Sequence, residues 1–508
     1  VNDQPRTQIV ARRFDGLGGR LTAMVNAMAI AERYGLEYRF AWTKSDDLFS
    51  NDPHELFAPE YLDRFGVHEL TLVDRTPVIL GELDETLRQV RLISPSQQGA
   101  PFVEIDWPIG LHPMLAEDPD GANLFAAMFR SIPLTDPLSE IARDLGALPE
   151  RNWVGVHVRA GDVVVGAWRR GTWHQKYQPL SLTRYAMRKA ATNGSQVRVV
   201  SDQPAIARYL IDQCPGAEQL AALVPSYAQL TPLQQAMADI ILLSQSTTIV
   251  APSHSAFSAF AGLVGGASLE RSTDEIDASL ARRIVSDSIH SQRRSIRHRS
   301  LLAPYNARDL VWYVDIFGER ETAKTLARRL RRATRLDPEF TAAWARLARV
   351  SARSGQVARA RRALVTARHT AERDERQDDV AVELDVAEVV VGCCDLLLRR
   401  GRDNGEQRHA LFQHLRATVA QCAQRQPHHW QGPAVAAMTE LVELVGHVAV
   451  APPEGAASIV SQLRATLRGP LSCGGDGYDE QRRGVLDPWC REVTALLLAV
   501  RSVATATT

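Results

Sequence analysis

The feature that most limits how this chain can fold is a change of texture near residue 285. Before it, short apolar runs of strand length alternate with helical stretches and Pro/Gly breaks. After about residue 305 the pattern is helical throughout and dominated by Ala, Leu, Arg and Glu. The strand candidates are Thr7–Ala11, Leu36–Trp42, Trp153–Val158, Gln196–Val200 and Thr247–Ala251, mostly β-branched or aromatic. Helical patterns such as Leu21–Tyr34 and Leu182–Ala191 fall between many of them. Strands alternating with helices are joined by crossovers and pair in parallel, so the first part is expected to be α/β. Its length fits two Rossmann-type halves, 1–150 and 151–285, with a cleft between them. An Arg/Ser-rich linker is expected over 286–304 and an all-α domain over 305–508.

Composition narrows the function classes. Lys plus Arg (59) equals Asp plus Glu (59), which argues against a general nucleic-acid binder, since that role needs surplus cations to displace counterions. Hydrophobic residues at 45% and charged residues at 23% are globular values. Lysine occurs only at 44, 176, 189 and 324, so nearly every cation is arginine. A GC-rich genome accounts for such a bias as a whole, while an individual planar fork can still grip phosphate oxygens as an ammonium cannot. The six cysteines show no paired CxxC spacing, so neither zinc nor a disulfide framework is expected. No leading apolar segment has the shape of a signal peptide, and no apolar run reaches the ~18 residues of a membrane span. A cytoplasmic location is the expectation.

Within the helical part, Trp344, Leu347, Ala348, Gly355, Ala360, Leu364 and Ala367 fall at the spacings of a 34-residue unit. Leu330, Ala333 and Pro338 match the end of the unit before it. This stretch resembles tetratricopeptide repeats over about two units, roughly 306–373, although Ser351 replaces the usual aromatic and no proline follows Ala367. Beyond residue 375 there are amphipathic helices without a recognisable repeat. The segment Ser279–Ser300, with Arg293, Arg294, Arg297, His298 and Arg299, reads as a solvated linker or a basic partner-binding patch.

Four segments carry chemistry. Phe14-Asp15-Gly16-Leu17-Gly18-Gly19-Arg20-Leu21 follows a strand and opens a helix. Glycines there allow close backbone approach, and a helix start offers N–H groups to an anion, so the segment is either a plain tight turn or a phosphate or sugar contact. Val154-Gly155-Val156-His157-Val158-Arg159-Ala160-Gly161-Asp162 puts His157 and Arg159 on one strand face near its C-terminal end, where open α/β sheets bind ligands. A local Arg159–Asp162 ion pair is the plainer alternative. In Val197–Pro204, Ser201 and Asp202 end another strand, and Asp202 also suits a helix N-cap. Asp239 then precedes a strand that runs into Pro252-Ser253-His254-Ser255-Ala256-Phe257-Ser258, whose hydroxyls and N–H groups suit a diphosphate or simply cap the next helix.

In this order and spacing, the segments resemble the superfamily of GDP-fucose-dependent fucosyltransferases, which includes α1,6-, nodulation and protein O-fucosyltransferases. The resemblance covers roughly residues 8–270, and its most specific piece is His157-Val158-Arg159-x-Gly161-Asp162. It implies a GT-B-like pair of Rossmann-type domains, the first on the acceptor side and the second binding the nucleotide sugar. It further implies an inverting glycosyltransferase that needs no cofactor and no metal. Arg159 would then hold the β-phosphate. His157 and Asp239 would contact guanine, Ser201 and Asp202 would lie near the donor, and Ser253, His254 and Ser255 would meet the diphosphate. Gly18, Gly19 and Arg20 match the family's opening segment.

The α1,6-type pattern continues with a second basic residue and a later glutamate, and no glutamate follows Asp162 here. Asp162 and His174 are the candidates for the base. Trp168, Trp173 and Tyr177 either cover the cleft as an acceptor loop or anchor an ordered loop. The expected partners are a GDP-sugar, an acceptor that is a peptide, glycan or small molecule, and a protein partner or second subunit on the helical domain. Two rival readings are a transferase for another nucleotide sugar and a helical-repeat adaptor that has lost catalysis.

Overall fold

In a computed structural model, residues 8–42, 52–67, 102–148, 152–291 and 299–425 are described, together with 439 and 442. Within those spans 167–168, 172–175, 253, 273–275, 319–320, 374–377 and 399–404 are excepted. His174 and Ser253, both expected at the site, lie outside the described residues. The chain divides into two compact units, Val1–Gly161 with Gln175–Ala281, and Asp162–His174 with Arg282–Thr508.

The first unit is built on two parallel sheets. Strands β1 (Gln8–Arg13), β2 (Glu37–Trp42) and β3 (Phe102–Ile105) form one sheet in the order β2-β1-β3. Strands β4 (Trp153–Val158), β5 (Gln196–Ser201), β6 (Ala217–Glu218), β7 (Thr248–Val250) and β8 (Ser268–Glu270) form the other, in the order β6-β5-β4-β7-β8. Every pairing in both is parallel. In the second sheet the chain steps outward on one side of β4 and then returns to step outward on the other. That reversal opens a crevice beside the C-terminal end of β4.

Helices of about two turns or more are numbered in chain order. Those of the first unit are α1 (Leu17–Tyr34), α2 (Pro59–Phe65), α3 (Gly121–Arg130), α4 (Asp136–Gly146), α5 (Leu180–Thr192), α6 (Pro204–Asp212), α7 (Pro232–Ser244) and α8 (Ala256–Gly265). Helix α1 is apolar on most of its circumference, as a helix enclosed by protein must be. Leu21, Val25 and Ile30 are buried, and so is Asn26, whose amide donates to the Gly110 carbonyl and accepts from the His112 N–H. One hydrophobic core runs from Ile9, Phe40 and Leu21 through Phe125 and Phe129 to Phe260 and Ile249. The Phe260 ring meets Phe125 and Phe129 edge-on at 5.7 and 5.1 Å. The two sheets therefore share a core.

The sequence placed Gly18, Gly19 and Arg20 in the turn before a helix. They are already helical, because α1 starts at Leu17 with Gly16 as its N-cap. Gly18 is where the first turns of α1 and α8 touch: a Cβ there would stand 2.5 Å from Phe257 Cα and 2.7 Å from the Ala256 carbonyl carbon.

Helix α9 (Ala278–Ser291) begins in the first unit and passes into the second at Arg282; the second unit is otherwise helical, with α10 (Arg299–Phe317), α11 (Ala323–Leu336), α12 (Thr341–Arg353), α13 (Val357–Ala371), α14 (Asp378–Leu398) and α15 (Gly405–Arg425). Here the linker expectation fails on both sides of the undescribed residues 292–298. Ala281, Val285 and Ile289 recur every four residues and are buried, so α9 folds despite its Arg- and Ser-rich surface. Residues 299–304 open α10. Helices α12 and α13 form a hairpin turned at Gly355, whose φ of 75° favours glycine. Leu347, Ala348, Ala360, Leu364 and Ala367 are buried in this unit. Arg346 on α12 bridges Asp315 of α10 at 2.8 Å and Glu383 of α14 at 2.9 Å.

Replacing Gly18 by Ala is expected to cost about 1–3 kcal/mol, since backbone atoms of α8 block the new methyl. Gly16→Ala meets nothing within 4 Å and should lower the unfolding midpoint much less. Thermal melts of the two variants, side by side, check this.

Candidate active site

Most of the predicted residues gather where the C-terminal ends of β4 and β5 meet the start of α8. Strand β4 is buried along its whole length, and His157 is 7% exposed. Its Nδ1 lies 3.3 Å from both Ser255 Oγ and Ser258 Oγ, and its ring sits 4.9 Å from that of Phe257. Ser255 is the N-cap of α8 and accepts from the Ser258 N–H at 3.5 Å. Of the alternatives left open for Ser255, the cap is present, and the same hydroxyl faces His157. Arg159 lies one residue past β4, half-buried.

Asp202 does not cap a helix. Gln203 is the N-cap of α6 and gives no side-chain bond, with Pro204 following. Asp202 Oδ1 instead accepts from the N–H groups of Ala160 and Gly161, at 2.9 and 2.8 Å. The carboxylate thereby fixes the turn that immediately follows Arg159. A Cβ at Gly161 would stand 2.8 Å from Asp202 Oδ2, so a side chain there would push the carboxylate aside. Ser201 completes the arrangement by donating to the Val158 carbonyl at 2.8 Å and accepting from the Gln203 N–H at 3.2 Å. Beyond Gly161 the chain makes a single wide helical turn, Gly161–Val165, which carries Asp162. Such i→i+5 turns are uncommon and concentrate at functional sites.

Asp239 lies on α7. Tyr227 Oη donates to its Oδ1 at 3.2 Å. Burial pushes the Asp239 carboxyl up to about 8, Tyr227 draws it back, and the charge of Asp202 adds to the rise. Burial, followed by the Asp239 charge and the shared hydrogen bond, raises the Tyr227 phenol well above its ordinary value. A carboxyl held neutral at pH 7 by burial is a common property of functional sites.

Residues from the first sheet complete the surroundings. Arg20 is 2% exposed, donates through Nε to the Asp15 carbonyl at 2.7 Å and lies 5.0 Å over the Trp42 ring. Burial lowers its pKa, with Asp15 opposing. It braces the opening turn from inside. Gly19 packs on the Asp15 carboxylate, 2.7 Å from Cγ to an added Cβ.

Sequence reasoning missed several residues. At the ends of β1 and β3, Arg13 pairs with Asp106 at 2.7 Å and with Asp15 at 3.0 Å. Burial raises the Asp106 carboxyl, against the pull of Arg13. Lys176 and Arg271 lie close enough to His254 that, after burial, their charges hold its imidazole below the usual range. The first turns of α1 and α8, which touch at Gly18, each present positive dipole ends. A rare lysine was the only signal for this cationic group; Tyr227 and Arg271 had none.

No family model matches the chain, and no curated protein matches it. Among solved structures it is similar to the NodZ α1,6-fucosyltransferase co-crystallised with GDP, at 19% identity and a TM-score of 0.33, over 51% of this chain and 92% of that one. The fucosyltransferase NodZ from Bradyrhizobium matches at 17% identity and 0.33, over 51% and 93%. POFUT1 in complex with GDP-fucose matches at 10% identity and 0.30, over 53% and 98%. These neighbours are fucosyltransferases.

The Asp239 carboxyl has a testable signature. Folded, it keeps its proton up to about pH 8; unfolded, it loses it near pH 4. Between those values the folded state binds the extra proton, so this group's contribution to stability falls as pH rises. Asp239→Asn abolishes the titration and should gain on the wild type from pH 5 to 8, then hold level. Urea denaturation at pH 5, 7 and 9 measures the difference; a difference flat in pH would refute the assignment.

Proposed function

We propose that the chain is a glycosyltransferase that takes fucose, or a related deoxyhexose, from a GDP-sugar, with inversion at the anomeric carbon. The observation that carries this reading is the contact of two helix starts, α1 and α8, at Gly18. Two positive dipole ends side by side repel each other and favour an anion between or beside them. His254, with Lys176 and Arg271 near it, adds formal charge. A diphosphate satisfies that arrangement, and the motif His157-x-Arg159-x-Gly161-Asp162 supplies the likeness to GDP-fucose enzymes.

The chemistry gives each residue a task. Departure of the sugar breaks the C1–O bond to the β-phosphate, and the bonding pair leaves with GDP. Arg159, at the end of a strand whose exit is held by Asp202, stabilises that growing charge without reorganising. No metal is needed in this scheme, because the leaving charge is met by the guanidinium, nearby cations and helix starts. Asp239, once ionised, accepts from the N1–H and N2–H groups of guanine and rejects adenine, which offers no matching donors. The acceptor hydroxyl attacks C1 from the opposite face and passes its proton to Asp162 or His174. The pair of parallel sheets is the GT-B-like frame of this reading, and the helical unit, read as tetratricopeptide-like, takes the acceptor or a protein partner.

Calorimetry with GDP, UDP and ADP is the test. GDP should bind tightest, and Arg159→Ala should weaken it about 10- to 100-fold, the loss of one charge-assisted contact or somewhat more. Because guanine selects the ionised form of Asp239, uptake at pH 7 should release a proton. Affinity should then rise by up to about tenfold per pH unit below 8. UDP binding tighter than GDP, or an affinity indifferent to Arg159, sinks the reading.

A further inference from the structure

The segment after β4 belongs to the helical unit, which takes in Asp162–His174. Arg308 on α10 is what it rests on. The side chain is 4% exposed and uses all three nitrogens. Nε donates to the Val163 carbonyl at 3.1 Å, and Nη2 donates to the Arg169 carbonyl. Nη1 donates to the Pro304 carbonyl at 3.1 Å and pairs with Asp337 at 2.7 Å. The guanidinium lies 4.3 Å over the Phe340 ring. One planar fork thus grips both ends of the stretch from 163 to 169, with its own charge neutralised by Asp337.

The anchoring is reciprocal. Helix α12 has Phe340 as its N-cap, whose side chain gives no capping bond. The Arg170 carbonyl accepts from the Ala342 N–H at 3.0 Å and takes that role. The Arg170 guanidinium donates to the Thr370 carbonyl in the last turn of α13, and Arg169 pairs with Glu339. A wide turn such as Gly161–Val165 lacks the regular donor pattern of an α-helix, and a buried carbonyl left without a donor is costly. Arg308 supplies that donor at Val163, the residue next to Asp162.

We infer that Arg308 is a positioning residue: it holds the turn carrying Asp162 in its working shape. This rests on the donor-site reading above. Lysine cannot replace the fork, because one ammonium cannot reach two separated carbonyls and a carboxylate in fixed directions.

The test uses the full chain with Arg308→Lys and, as a milder variant, Asp337→Asn, which keeps the fork and the volume. Hydrogen exchange of peptides spanning 161–171 should quicken at least about tenfold in both variants. The GDP dissociation constant should stay within about twofold. Turnover of GDP-fucose should fall at least about tenfold in kcat with the donor KM little changed, the mark of a group that acts on the reacting geometry rather than on donor affinity. Exchange at the wild-type rate, or an unchanged kcat beside faster exchange, overturns the inference. Should Arg308→Lys fail to fold, Asp337→Asn decides. A wild-type chain that takes up no GDP would retire the donor assignment, and exchange alone would then judge the clamp.

Discussion

Everything in the first unit depends on a contact with no side chain on one side of it: the backbone of α1 at Gly18 against the backbone of α8 at Ala256–Phe257. Any Cβ would separate the helices. Their approach lets Phe260 reach Phe125 and Phe129, so one core serves both sheets. It also sets two helix starts together, an arrangement that costs electrostatic energy when empty and is relieved by an anion. The close packing and the proposed ligand site are consequences of the same glycine.

The second organising element is Asp202. A carboxylate that accepts two consecutive backbone N–H groups from a neighbouring strand's exit acts as a brace, and it acts on the turn directly after Arg159. Asp239 nearby is pushed toward neutrality mainly by burial and partly by Asp202, so the brace and the carboxyl proposed to read the base are electrically coupled. A change at either carboxyl is felt at the other.

Much of this was legible in the sequence, and the failures share a cause. The strand runs lie close to β1, β2, β4, β5 and β7, because period and β-branching are local properties. The strand that carries His157 and the helix start at Ser255 were legible, because alternation and capping are local too. The role of Asp202 was not: a residue after a strand and before a proline looks like a cap, and only the pairing of β5 with β4 brings it to Ala160. The helix α9 was hidden because three buried residues at intervals of four are diluted by Arg and Ser. Lys176, Arg271 and Tyr227 meet their partners only in three dimensions, and nothing in their neighbours announces it.

The Arg170 carbonyl at the head of α12 has a consequence for how such a chain can change. A self-sufficient helical block finishes its own ends. Here helix α12 borrows a partner for its first turn from a loop far upstream in the sequence. Grafting these helices elsewhere would leave that end fraying, so loop and helices should travel together.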